Sequence, residues 1–183
     1  MLGARMKRIV VALALLGSVG IVTLAAQRIF TNPADAHLRH LFPQAAAFSP
    51  HTGSPLHYKA YAVDPANRPD AQPIGLAFWT TDVVPKEAGY HGPIHLFVGL
   101  DMTGTIVGVI ADYNSEPYGY FSIDPPEFAA QFTGKSVRAP FRVGGDVHAV
   151  SRATISITSA TRAVRDSARA MARQFLNPAS VKE

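Results

Sequence analysis

No cysteine occurs among the 183 residues. Disulfides, thiolate-held iron–sulfur clusters and c-type haem attachment are therefore excluded, and any redox group must be held by other chemistry. Charge is also scarce. Charged residues make up 16% of the chain against 48% hydrophobic, a balance that favours one packed domain over disorder. Residues 1–27 contain no acid but do contain Arg5, Lys7 and Arg8. Setting those three aside leaves 14 basic and 13 acidic residues, so the net charge of +4 is concentrated at one end. The pI of about 9.6 is thus a weak case for nucleic acid, and no nucleic-acid partner is expected. No internal repeat, low-complexity tract, Walker loop, GxGxxG or Ser-His-Asp cue is present. The seven histidines, His37 and His40 among them, form no ligand set with zinc spacing, so no metal is expected.

Ile9 to Ala26 is an uncharged apolar run of 18 residues. That reaches the lower limit for a membrane-spanning helix. The basic residues before it predict a single-pass, N-in anchor in the cytoplasmic (inner) membrane, with the rest in the periplasm or otherwise outside the cytoplasm. A cleaved signal peptide ending near Thr23-Leu24-Ala25 is the other reading, disfavoured by the length of the run, and it puts the rest on the same side. Residues 1–31 are therefore read as the anchor or signal segment, and 32–183 as one domain.

Ala34 to Ala47 has helical spacing at Leu38, Leu41 and Phe42, with Pro43 as its stop. Tyr58 to Val63 and Ile74 to Trp79 read as strands, followed by a loop over Thr80 to His91. Ile94 to Leu100 and Thr105 to Ala111 give the strongest hairpin signal, and their nearly continuous apolar character predicts cover on both faces. A short helix is expected at Glu127 to Phe132, after Pro125-Pro126, and a further strand at Val137 to Val143. Gly144-Gly145 would permit close approach of backbone to a ligand. From Ile157 to Phe175, one face carries Ile157, Ala160, Val164, Ala168, Met171 and Phe175. Arg162, Arg165, Arg169 and Arg173 fall on the other side, read as a solvated basic face. The expected class is α+β: an antiparallel or mixed sheet packed by this C-terminal helix, with an N-terminal transmembrane helix.

A Ser/Thr-rich stretch, Asp146 to Ser156, leads into that helix. Free N–H groups and a partial positive charge at a helix start suit a phosphate. Thr154 sits just before the helix by this reading, as an N-cap or as a ligand residue. Ser151-Arg152-Ala153-Thr154-Ile155-Ser156 resembles the S-G-A-T-x-[ST] element of the FMN-binding domain family, found in the Rnf and Nqr flavin subunits and in NosR. Gly89 to Ile94 (GYHGPI) and Glu116 to Phe121 (EPYGYF) stand in the order and spacing of the NosR periplasmic domain. The resemblance covers roughly residues 38–176.

The resemblance implies a flavoprotein in electron transfer rather than a stand-alone enzyme, supporting a respiratory reductase such as a nitrous oxide reductase system. It implies FMN bound by Ser151, Arg152, Ala153, Thr154 and Ser156, with Glu116 and Tyr118 near the flavin ring. FMN would be joined to Thr154 by a phosphoester, made by a separate flavin transferase. Redox partner proteins or quinol, and the membrane, would be the other partners. Two positions depart from the transferase target D-x-x-[ST]-G-A-T: His148 takes the place of Asp, and Arg152 that of Gly. A non-catalytic module that keeps the fold, binds no flavin and acts in assembly is the alternative.

Overall fold

The computed structural model describes residues 32–181. The apolar run Ile9–Ala26 and its basic flank lie outside the described residues. Among the described residues, no helix is long and apolar enough to cross a membrane.

The elements are α1 (Asn32–Leu41), β1 (Ala47–Phe48), β2 (Tyr58–Tyr61), β3 (Pro73–Trp79), α2 (Thr80–Val83), β4 (His95–Asp101), β5 (Ile106–Tyr113), α3 (Gly119–Ser122), α4 (Pro126–Ala130) and α5 (Thr154–Phe175). A 3₁₀ turn, Pro178–Ser180, follows. The strands form one sheet in sequence order, β1-β2-β3-β4-β5, with every neighbouring pair antiparallel. The class is α+β, and the sheet is antiparallel throughout rather than mixed.

The run of apolar residues in β3 and β4 follows from burial on two sides. Side chains alternate across a strand. Leu76, Phe78, Leu96, Val98 and Leu100 join the large core with Ile157, Val164 and Met171 of α5. Ala77 and Phe97 point the other way, into a smaller core with Leu38, Leu41 and Phe42. β5 is an edge strand, and only part of it is buried: Val107, Ile110 and Ala111 are half-exposed.

α5 buries the apolar face expected of it, apart from the half-buried Phe175, together with Ser156, Ser159, Thr161 and Ser167. Burying each large aliphatic side chain contributes about 1.5–3 kcal/mol, which fixes the helix on the sheet far more firmly than its propensity would.

Several expectations need correction. Thr80 to His91 begins with α2, because the buried Thr80 hydroxyl donates to the Ile94 carbonyl at 3.2 Å and accepts from the Leu96 N–H at 3.3 Å. Val137 to Val143 is no strand. Its polar backbone is spent on side chains: Arg169 donates to the carbonyls of Val137 and Ala139 at 2.9 and 2.8 Å, and Asp146 accepts from the Phe141 and Arg142 N–H groups. Pro140 has no N–H to offer a ladder. Arg169 is therefore half-buried, and lies 5.8 Å over the Phe141 ring, which removes it from the solvated face. Arg162 pairs with Glu87 at 2.7 Å.

Candidate functional site

Three stretches far apart in sequence meet at the Glu116 carboxylate. It accepts the Tyr90 N–H at 2.9 Å, the His91 N–H at 2.8 Å and the Ser156 hydroxyl. The Glu116 N–H donates to Asn114 Oδ1 at 3.1 Å. Two glycines make room for this. A Cβ on Gly89 would lie 2.6 Å from Glu116 Oε1, and one on Gly119 would collide with Asn114 Oδ1. Glu116 is 8% exposed. Burial alone would raise its pKa. The Ser156 hydroxyl, the His91 and Tyr90 N–H groups and the nearby His91 ring outweigh it, holding the carboxyl below its ordinary value.

Beside this junction lies a cleft of about 490 Å³. Its lining is Tyr90, Pro117, Tyr118 and the consecutive run Arg152 to Ser156. Tyr90 and Tyr118 are 64% and 42% exposed, so two phenol rings are available to a flat ligand. Ile155, also exposed, adds an apolar side chain. A groove of about 500 Å³ along β5, lined by Leu41, Val109 and Ala129 among others, is as large but holds none of the three sequence blocks. Size does not choose between the two; chemistry does.

The polar end of the cleft is the start of α5. Thr154 is the first helical residue, and Ala153 is the N-cap with no side-chain cap. Thr154 is thus neither ahead of the helix nor its cap. Its side chain is exposed and makes no hydrogen bond among the described residues. The N–H groups of Thr154, Ile155 and Ser156 precede the first intrahelical bond, Ile157 to the Ala153 carbonyl, and meet no acceptor among the described residues. Arg152 is exposed beside them, with φ of +70°. That left-handed backbone accounts for glycine in the S-G-A-T pattern, since it strains a residue bearing a Cβ. Ser156 has committed its hydrogen to Glu116, so it offers a ligand lone pairs only.

Of the residues singled out in the sequence, Tyr118, Arg152, Ala153, Thr154 and Ser156 line one cleft. Ser151 is exposed next to it without lining it. Glu116 lies beneath it. Tyr90, Pro117 and Ile155 were missed. Tyr90 stands in GYHGPI as an aromatic among glycines and a proline, a composition that by itself suggests only a turn into the next strand. Gly144-Gly145 forms a turn closed by Asp146 and does not line the cleft. His148 is exposed, with its N–H donating to Gln131 Oε1 at 2.6 Å. Asp146 accepts from Phe141 N–H, Arg142 N–H and Lys135 Nζ, so it is not free to serve as the missing acid. His37 and His95 both contact the Asp112 carboxylate, at 3.1 and 3.2 Å. Among the described residues no group of three or more His, Asp or Glu could hold a metal ion.

Residues 89–169 match the family model of the FMN-binding domain. This stretch belongs to the FMN-binding domain family. The match begins at Gly89, which makes room for Glu116, and takes in every residue of the cleft. No curated protein matches the chain. The FMN-binding domain explains the two ends of the cleft together. FMN needs flat walls for its ring system, which Tyr90 and Tyr118 could supply. It needs donors for its phosphate, which the N–H groups at the start of α5, the Thr154 hydroxyl and the Arg152 guanidinium could supply. The residues present therefore fit the cofactor.

Proposed function

We propose that this chain is a membrane-anchored, extracytoplasmic flavoprotein whose FMN serves electron transfer to a respiratory reductase of the nitrous oxide reductase kind. The observation that carries this is the meeting, inside the family-matched stretch, of an uncapped helix start with two exposed tyrosines. FMN supplies one- or two-electron transfer; the chain's residues bind it, orient it and set its surroundings. Tyr90 and Tyr118 hold the ring. Arg152 and the first turn of α5 hold the phosphate.

In this reading FMN is joined to Thr154 by a phosphoester, formed by a separate flavin transferase. A threonine hydroxyl is a poor nucleophile without a base. No side chain of the described residues bonds to it, so none of them activates it. Redox proteins or quinol exchange electrons with the flavin. The anchor is the run Ile9–Ala26, preceded by Arg5, Lys7 and Arg8.

The test is to co-express the full chain with a flavin transferase, denature it and look for retained fluorescence and the FMN mass on the Thr154 peptide. Thr154→Ala should abolish both, and Thr154→Ser should keep a hydroxyl for the bond. Flavin retained by Thr154→Ala would move the attachment to Ser151, Ser156 or Thr158. A second reading, a flavin-free assembly module, draws on His148 and on the commitment of Asp146 to its own turn. Covalent flavin in His148→Asp but not in wild type would favour it. For topology, alkaline phosphatase fused after Glu183 should be active, and an inactive fusion would place the domain on the other side.

A further inference from the structure

We propose that Glu116 is a positioning residue for the flavin cleft and not a contact of the flavin: its carboxylate clamps the walls that carry Tyr90, Tyr118 and Ser156. This deepens the FMN-binding reading and rests on it. Oε1 takes the His91 N–H, and Oε2 takes the Tyr90 N–H and the Ser156 hydroxyl. The clamp reaches across 25, 26 and 40 residues of sequence respectively. Tyr118 hangs two residues beyond Glu116 itself, and the Gly119 N–H closes that turn on the Glu116 carbonyl at 3.0 Å. The cleft's three stretches are therefore tied to one residue, two through the Glu116 carboxylate and the third through its backbone, and that residue does not itself line the cleft.

The donor pattern makes the idea sharp. Three donors converge on the carboxylate, and each of its oxygens takes at least one. Glutamine has the same shape but offers one oxygen and one NH₂ group. With nitrogen at the first position, it faces the His91 N–H. With nitrogen at the second, it faces the Tyr90 N–H and the Ser156 hydroxyl. Both orientations set donor against donor, so Glu116→Gln must release at least one backbone N–H, that of His91 or that of Tyr90, and loosen the stretch that carries Tyr90. Glu116→Asp keeps the charge and both acceptors on a stem one carbon shorter. Gly89→Ala keeps the Glu116 carboxylate but puts a methyl 2.6 Å from its Oε1, so the carboxylate must shift.

The experiment titrates FMN into the full-length protein, following flavin fluorescence, and measures hydrogen exchange of the Tyr90 and His91 amides on the same samples. Circular dichroism confirms that each variant is folded. Glu116→Gln is expected to weaken FMN binding by about tenfold or more, the size of one lost charge-assisted hydrogen bond, and to speed exchange of at least one of the two amides comparably. Glu116→Asp should recover part of both losses. Gly89→Ala should move both readouts in the direction of Glu116→Gln, and it decides the matter if Glu116→Gln does not fold. Weaker FMN binding with unchanged amide exchange would make Glu116 a direct contact and overturn the proposal. Faster exchange with unchanged affinity would overturn it too, since the clamp would then position nothing that matters. Wild-type protein that binds no FMN would instead overturn the flavin reading, and the flavin half of this proposal with it. The exchange data would still decide whether the clamp exists.

Discussion

Glu116 and Asp146 are built alike and do different work. Each carboxylate accepts two consecutive backbone N–H groups and one side-chain donor: Tyr90, His91 and Ser156 for Glu116, and Phe141, Arg142 and Lys135 for Asp146. Each carboxyl is held below its ordinary pKa. Burial pushes both up; bonds from Ser156, His91 and Tyr90 in one case, and from Arg142, Lys135 and Phe141 with the Lys135 charge in the other, outweigh it. The difference is reach. Asp146 bonds residues 4, 5 and 11 positions away and shapes a local turn. Glu116 bonds partners at least 25 positions away and unites the three stretches around the cleft. The same trap for a carboxylate thus makes a loop in one place and a binding site in another.

The comparison can be broken by removing each acid. Glu116→Ala strands two backbone donors and a hydroxyl in a buried place, and should cost about 3 kcal/mol or more in urea unfolding. Asp146→Ala should cost about 1–2 kcal/mol, because its pocket is more open and Lys135 can turn to water. Equal losses would mean that reach does not matter. Acid sharpens the contrast. A carboxyl with a lowered folded pKa contributes stability that is present above its unfolded value, near 4, and is lost as pH falls through the folded value. Wild type should therefore lose stability below about pH 4 through both acids, and Glu116→Gln should lose less over the same range. Arg152→Gly relieves the left-handed backbone and should gain about 1 kcal/mol in unfolding free energy, seen as a raised Tm. Thr154→Ala is the smallest: about 0.5 kcal/mol or less, because the hydroxyl caps nothing, whereas the loss of an N-cap would cost about 1 kcal/mol.

The parts of the fold that were legible are those where one local pattern decides. β3 and β4 announce themselves as nearly continuous apolar runs, and α5 by burial that repeats every third to fourth residue. Where a distant side chain decides, the sequence misleads. Val137 to Val143 has the apolar residues of a strand, but Arg169, about thirty positions away, takes its carbonyls. α2 depends on a Thr80 hydroxyl that reaches Ile94 and Leu96. β1 has two residues and no pattern to show. The site divides in the same way. Ser151 to Ser156 was visible as a motif and as a helix start, although Thr154 fell one place inside the helix rather than before it. Tyr90 was passed over because its place on the cleft is set by what its own N–H bonds to, 26 residues away.

One property of the clamp bears on how such a domain can change. Glu116 grips residue 90 by its N–H group, a bond that does not involve the Tyr90 side chain. Tyr90 is consequently an interchangeable panel on a fixed frame. Phe, Trp or Leu in its place would meet the ligand differently while the frame stayed put, so variation at this one position offers a route to retuning a flavin's surroundings that leaves folding alone. A proline at 90 or 91 is the exception, because it removes the N–H that the frame is fastened to.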